Sequence, residues 1–377
     1  MNDILGYLQM HGDEMLADLR RLVECESPTG DRRRLDSLAA DLAAWTADMT
    51  GGRAKVLESP AGNHVLLEAG SPERGHTLLL FHFDTVWPAG TLAGMPFEVK
   101  NHRATGPGVF DMKAGIVQGV WALRALCEVF GDPPPVVCLF TSDEETGSFT
   151  SRELIEAAAQ HASAALVLEP SQDGLLKTSR KGVGLFRIEV TGIPAHAGVE
   201  PNAGASAITE LALQVLDLHS ENSPSSATTL NIGVVGGGTR PNVVAAHAWA
   251  DVDLRVTTNE EAERMTSRLL GLRPHDPQTR VEVTGGMNRP PMERTQETAL
   301  LYAQARDLAA GLGFELGETS SGGGSDGNFC AAVGIPVLDG LGAVGGGAHA
   351  RDEHILIEQM APRAALVAHL LREFDRK

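Results

Sequence analysis

The 377 residues exceed what one typical core uses and suit two domains, and 42% apolar with 21% charged residues is the composition of a soluble globular protein. Lys and Arg number 31 against 49 Asp and Glu, a net charge of −18 that argues against nucleic acid or an anionic membrane surface as the main partner, though a local basic cluster could still take an anionic substrate. The chain opens with no basic segment leading into an apolar one, and no later run reaches the length of a membrane span, so a cytoplasmic location is expected. Cys25, Cys127, Cys138 and Cys330 form no Cys-x-x-Cys pair, so any metal here would be held by His and carboxylate.

In chain order, Ile4, Leu5, Leu8, Met15, Leu16, Leu19 and Leu22 predict one amphipathic helix over residues 3 to 24, stopped by Ser27-Pro28-Thr29-Gly30-Asp31. A second helix is expected over about 34 to 49, then an alternating strand pair through Val56 and residues 64 to 67. Leu78-Leu79-Leu80-Phe81-His82-Phe83-Asp84 is an apolar run of strand length that ends in a histidine and an aspartate on one face. Either the strand end simply reaches water, or the pair is a metal-ligand histidine with a carboxylate beside it. On this stretch alone the first reading is the simpler.

Gly106-Pro107-Gly108 turns into Asp111 and a long helical pattern, Ile116, Val120, Leu123, Leu126 and Val129; alone, Asp111 reads as an N-cap. The apolar strand 136 to 141 ends in Ser142-Asp143-Glu144-Glu145-Thr146-Gly147, and the strand 164 to 168 ends in Glu169-Pro170. Strands alternating with helices imply a mostly parallel sheet, whose ligands bind beyond the carboxyl ends of the strands. His82, Asp84, Asp111, Glu144, Glu145 and Glu169 all fall at that edge.

From about Arg180 the pattern changes. A strictly alternating strand over 183 to 190 is followed by a helix 205 to 218, strands 229 to 235 and 248 to 256, a helix 260 to 272 and a strand 280 to 283. This β-α-β-β-α-β order predicts a ferredoxin-like module inserted over 180–288, with 1–179 and 289–377 forming one discontinuous domain. That domain resumes with a helix over 297 to 312. The run Ser320 to Gly327 lacks the Gly-Lys-Ser/Thr ending of a phosphate loop, a last sheet strand spans 335 to 338, and Gly345-Gly346-Gly347-Ala348 delivers His349 on a flexible loop. A final amphipathic helix is expected over 358 to 374. The expected fold class is α/β, a mostly parallel mixed sheet flanked by helices, with an inserted α+β domain.

Two histidines and several carboxylates suit Zn, Co or Mn. Two ions about 4 Å apart need a bridging carboxylate and a further carboxylate and histidine each. The inventory matches that need: Asp111 as bridge, His82 with Glu169, His349 with Glu145. Adjacent residues of extended chain point opposite ways, which leaves Glu144 to face the hydrolytic water as general base.

His82-Phe83-Asp84-Thr85-Val86, Gly106-Pro107-Gly108 through Asp111-Met112-Lys113, Asp143-Glu144-Glu145-Thr146-Gly147, Glu169-Pro170, Ala195-His196-Ala197-Gly198 and the late His349 together resemble the M20 family of dinuclear-zinc peptidases, most of all its glutamate carboxypeptidase branch. The resemblance implies the ligand roles above, Asp84 holding His82, Glu144 as base, a cis peptide after Asp111, and a lid over 180–288 that dimerises. It implies that His196 stabilises the tetrahedral oxyanion of a partner subunit's site, that Asn242 and Arg255 grip the substrate carboxylate, and that Lys177, Arg289 and Gly324 serve glutamate recognition. Glutamate at position 169 is similar to carboxypeptidases and deacylases, whereas aminopeptidase-like relatives usually carry Asp there. One departure is Gly346-Gly347-Ala348, where relatives commonly place a bulky residue before the last histidine, which opens the acyl-side pocket wall.

The expected function is metal-dependent hydrolysis of the amide bond of an N-acyl or peptidyl amino acid, releasing a C-terminal glutamate-like residue, by a cytoplasmic homodimer with two divalent ions per chain. The alternatives are an N-acyl-amino-acid deacylase or dipeptidase using the same metals and, from another class, a catalytically silent binding protein on this fold.

Overall fold

Apolar runs build the centre of the first unit. In the structure, a computed structural model that describes residues 2–71, 75–222 and 227–375, His76–His82 and Val136–Thr141 are buried at every position and Ala162–Val167 at its last four. Such runs suit strands covered by helices on both faces. They lie in a six-stranded sheet in the order Arg53–Leu57, His64–Ala69, Val136–Thr141, His76–His82, Ala162–Val167, Val337–Leu338. The last four are parallel and the first two join antiparallel. This unit comprises Met1–Ser179, Arg294–Ser320 and Ser325–Lys377.

Register sets what the strand ends can do. His82 lies opposite Thr141 and Leu80 opposite Val167, so Glu169, two residues past Val167, stands level with His82. The helix Ala114–Phe130 packs close over these strands through glycine: a Cβ at Gly115 would meet the Leu168 carbonyl oxygen at 2.0 Å, and one at Gly119 the Phe81 ring at 2.5 Å. Phe81 in turn stacks on Phe140, ring centroids 4.5 Å apart.

A second sheet of this unit, Gly345–Gly346, His354–Leu356, Arg103–Thr105 and Glu98–Lys100, is antiparallel. Its strands are two or three residues long, too short to show a period, and the sequence reading has none of them. The helix expected over 3 to 24 is two, Asn2–Met10 and Gly12–Glu24. The chain bends where His11 adopts φ −105°, ψ 23° and its Nδ1 lies 2.8 Å from the Tyr7 carbonyl oxygen, just before a glycine of low helix propensity.

The second unit, Arg180–Glu293 with Ser321–Gly324, is a four-stranded antiparallel sheet in the order Thr229–Gly237, His247–Val256, Gly182–Thr191, Arg280–Arg289. The helices Ala207–His219 and Asn259–Leu270 pack on it over Phe186, Ile188, Val190, Leu211, Val252, Leu254, Met265 and Leu269, which gives the ferredoxin-like order. The last strand, expected to end at Val283, runs on to Arg289 with an irregularity at Asn288. Among the described residues no helix is long and apolar enough to cross a membrane.

The glycine packing predicts opposite signs for one substitution. Gly6→Ala, with nothing within 4 Å of the new Cβ, should raise stability by about 0.5–1 kcal/mol, whereas Gly115→Ala should lower it by about 1–3 kcal/mol or more. Denaturant melts check this; equal effects would contradict the close approach of helix and sheet.

Candidate metal centre

Asp111 stands between two imidazoles. Its Oδ1 is 3.1 Å from His82 Nε2 and its Oδ2 is 3.3 Å from His349 Nε2. His82 Nε2 is also 3.5 Å from Glu169 Oε1, and His349 Nε2 is 3.3 Å from Glu145 Oε2. Each histidine therefore has a carboxylate of its own and shares Asp111. Glu144 sits at the His82 end, where atoms of His82, Glu144 and Glu169 lie within 4.8 Å of one another.

The backbone delivers these groups from five places. Gly106 and Gly108 take φ of 149° and 70°, and a Cβ at Gly108 would lie 2.5 Å from Thr85 Cγ2, so only glycine makes this turn. The peptide bond between Asp111 and Met112 is cis, as the resemblance implies. His349 itself has φ 61°, in the left-handed region that disfavours side chains. Glu144 and Glu145 follow the strand Val136–Thr141, on a turn braced by Asp143. That carboxylate accepts the Thr150 N–H and hydroxyl, each at 2.7 Å, and the Ser151 hydroxyl at 2.6 Å.

The buried Asp84 does more than the sequence suggested. His82 Nδ1 donates to the main-chain carbonyl of Asp84 at 3.0 Å, while the Asp84 Oδ1 is 3.5 Å away. With its proton on Nδ1, the ring offers Nε2 to the cluster. The Asp84 carboxylate accepts the Thr29 hydroxyl at 2.9 Å and the Glu144 and Glu145 N–H groups at 3.2 Å each, so it also orients the acidic turn. The sequence assigns no such contact to Thr29 or to Met112, whose sulfur accepts the His82 N–H at 3.2 Å; nothing in a threonine 55 residues from Asp84 signals it.

Burial opposes a charge on His82, but hydrogen bonds to Asp111 and Asp84 and the nearby Glu169 hold its pKa well above the ordinary histidine value. Hydrogen bonds to Asp111 and Glu145 raise His349 to about 10. Against its burial, the two histidines hold Asp111 far below the usual carboxylate range. Divalent ions fit this donor set of N and O atoms: Glu145 Oε1 is buried without a hydrogen-bond partner among the described residues, and the two oxygens of Asp111 face different histidines.

The remaining site candidates divide between the two units. Lys177, in the first unit, is buried on the strand Leu176–Arg180, its N–H donating to the Asp339 carbonyl at 2.8 Å. In the second unit, His196 bridges to Val243, and the Ala197 N–H donates to the Asn242 carbonyl at 3.1 Å. His196 Nδ1 accepts the Gly198 and Val199 N–H groups at 3.1 and 3.2 Å, leaving Nε2 as the donor of the neutral ring. The Arg255 fork closes on Asp253, at 2.7 and 2.8 Å. Gly324 makes room for Arg289, whose Cδ would lie 2.8 Å from a Cβ there.

Both histidines hold protons at neutral pH, so a cation that takes their nitrogens must displace them. Titrating Zn into metal-free protein in weak buffer at pH 7 should release about one proton per histidine, with affinity rising as pH approaches 10. Affinity independent of pH would show that these nitrogens are not ligands.

Residues 78–373 match Peptidase family M20/M25/M40. The chain is 30% identical over 369 residues to Carboxypeptidase G2 of Pseudomonas sp. (strain RS-16), covering 95% of this chain and 89% of that one. It is 29% identical over 318 residues to the succinyl-diaminopimelate desuccinylase of Delftia acidovorans, 78% of this chain and 81% of that one. Among solved structures, the aminopeptidase PepT of Bacillus cereus superposes with a TM-score of 0.73 at 25% identity, over 97% of this chain and 99% of that one. A match of this span around a histidine and carboxylate cluster places the chain in peptidase family M20/M25/M40, as a metal-dependent hydrolase.

Proposed function

We propose that the protein hydrolyses the amide bond of N-acyl or peptidyl amino acids and releases a C-terminal glutamate-like residue. The observation that carries the hydrolytic reading is Asp111 held between His82 and His349, with Glu144 beside them. The glutamate preference is supported by 30% identity to Carboxypeptidase G2 over 95% of the chain and by Lys177, Arg289 and Gly324 at positions resembling that branch.

His82, Asp111 and Glu169 would hold one divalent ion, and His349, Asp111 and Glu145 a second, most simply Zn, with Co or Mn as alternatives. Such ions supply a Lewis acid for the scissile carbonyl and make water easier to deprotonate. Glu144 takes a proton from the attacking water and passes it to the departing amide nitrogen as the C–N bond breaks, so the carboxylate is regenerated. Asp84 fixes Glu144 and Glu145 through their N–H groups. His196 is assigned the oxyanion, to which its Nε2–H can donate. Asn242 and Arg255 are assigned the substrate carboxylate; Arg255 must then exchange Asp253 for it.

Residues 180–288 are assigned as the lid and as the interface of a homodimer. Its edge strand Thr229–Gly237 exposes Val234 and Val235, and the helix Ala207–His219 exposes Ile208, Leu213 and Leu216. The cytoplasm, where its four free thiols stay reduced, is the proposed compartment. A second reading, an N-acyl-amino-acid deacylase, is favoured by the likeness to a desuccinylase and by the small residues Gly346, Gly347 and Ala348 before His349.

Hydrolysis of acyl-glutamate, acyl-alanine and acyl-lysine by the metal-loaded enzyme separates the two. Acyl-glutamate should be preferred, and Glu144→Gln should lose about 10²–10⁴-fold in kcat at unchanged metal content. Equal rates on the three substrates would remove the glutamate assignment, and wild-type turnover by Glu144→Gln would remove the mechanism.

A further inference from the structure

We infer that Glu353 is a positioning residue that sets Asp111 relative to His349, an assignment that rests on reading those two residues as cation ligands. Glu353 is fully buried, and its carboxylate takes four N–H donors. Oε1 accepts the main-chain N–H of Phe110 at 2.8 Å and of Asp111 at 3.1 Å. Oε2 accepts the Gly108 N–H at 3.0 Å and the Trp87 indole N–H at 2.7 Å. The buried Lys113 acts on it through space, while its Nζ donates to the Cys25 carbonyl at 2.8 Å. A buried carboxylate is tolerated when its lone pairs are filled, and here three of the four donors come from the turn that carries Asp111.

The donors converge because of the backbone of that turn. Gly106 and Gly108, both at positive φ, curl the chain so that the N–H groups of Gly108, Phe110 and Asp111 aim at one point, a concave anion site built from main chain. The anion that fills it comes from the chain four residues beyond His349. The strands Gly345–Gly346 and His354–Leu356 pair with each other, and the second pairs with Arg103–Thr105, so both ends of the His349 loop are clamped beside the Asp111 turn. Within the loop, Ala350 N–H donates to the Gly347 carbonyl at 2.9 Å and Glu353 N–H to the Ala350 carbonyl at 3.0 Å. One side chain thus ties the loop of one ligand to the turn of the other.

The geometry requires a carboxylate. A glutamine at this place keeps one acceptor oxygen and turns its NH₂ toward two N–H donors, so the volume is preserved while one pair of contacts becomes repulsive. Partners that orient ligands in this way are worth about 10–100-fold in metal affinity.

The test is Co(II) binding to the full-length chain, by chelator competition and by the visible absorption of the bound ion. Wild type should bind Co(II), which checks the ligand reading by itself; no binding would sink that reading and this one with it. Glu353→Gln should keep its far-UV circular dichroism, bind Co(II) about 10–100-fold more weakly and show altered d–d bands. A folded Glu353→Gln with lowered melting temperature but wild-type Co(II) affinity and spectrum would make Glu353 a merely structural residue and overturn the inference. If Glu353→Gln does not fold, Trp87→Phe, which removes one of the four donors and lies on neither ligand loop itself, should shift the bands in the same sense. An unchanged affinity and spectrum there overturns the inference equally.

Discussion

A carboxylate held between two imidazoles is the constraint around which the first unit is arranged. At 3.1 Å from His82 and 3.3 Å from His349, Asp111 cannot sit in this environment without positive charge on both sides. The same requirement draws in Glu169 and Glu145, each facing one histidine. Protons on the two rings, or cations in their place, both satisfy it, which is why the cluster reads as a binding site and not as a structural ion pair. A purely structural network would leave no buried carboxylate oxygen unpartnered, and Glu145 Oε1 is one among the described residues.

Two pieces of architecture meet that constraint. The parallel strands are in a register that puts His82, Glu169 and the acidic turn at one level, so three of the groups come from a single sheet edge. The other two, Asp111 and His349, come from turns held together by the short antiparallel sheet of Gly345–Gly346, His354–Leu356, Arg103–Thr105 and Glu98–Lys100. Asp84, two residues past the strand His76–His82, links the two histidine ends: it holds the His82 ring through its carbonyl and the Glu144–Glu145 backbone through its carboxylate. Substituting any of these carboxylates disturbs more than one contact, so their effects on binding should not add.

Much of this was legible in the residues. The buried strands announce themselves as unbroken apolar runs, and the acids at their ends stand out because several strands carry them to the same sheet edge. Counting ligands matches the inventory to two ions, and the resemblance implies the pairing of His82 with Glu169 and of His349 with Glu145. What stayed hidden depends on contacts between distant segments. The short sheet has strands without a readable period, Thr29 reaches Asp84 across 55 residues, and Glu353 looks like one more surface acid until Gly108, Phe110 and Asp111 are seen to point at it. The bend at His11 leaves no mark in the sequence because helical periodicity continues through it. In the second unit the alternation of strands was plain, yet the closure of Arg255 on Asp253 emerges only with side chains in place, although two residues apart on one strand is the spacing that permits it.

The central claim is that Asp111 is shared by two cation sites. Anomalous diffraction from crystals of the cobalt-loaded protein tests it most directly. The account predicts two peaks flanking Asp111, one beside His82 and Glu169 and the other beside His349 and Glu145. A single peak, or peaks that leave Asp111 without a bound ion on either side, would contradict it.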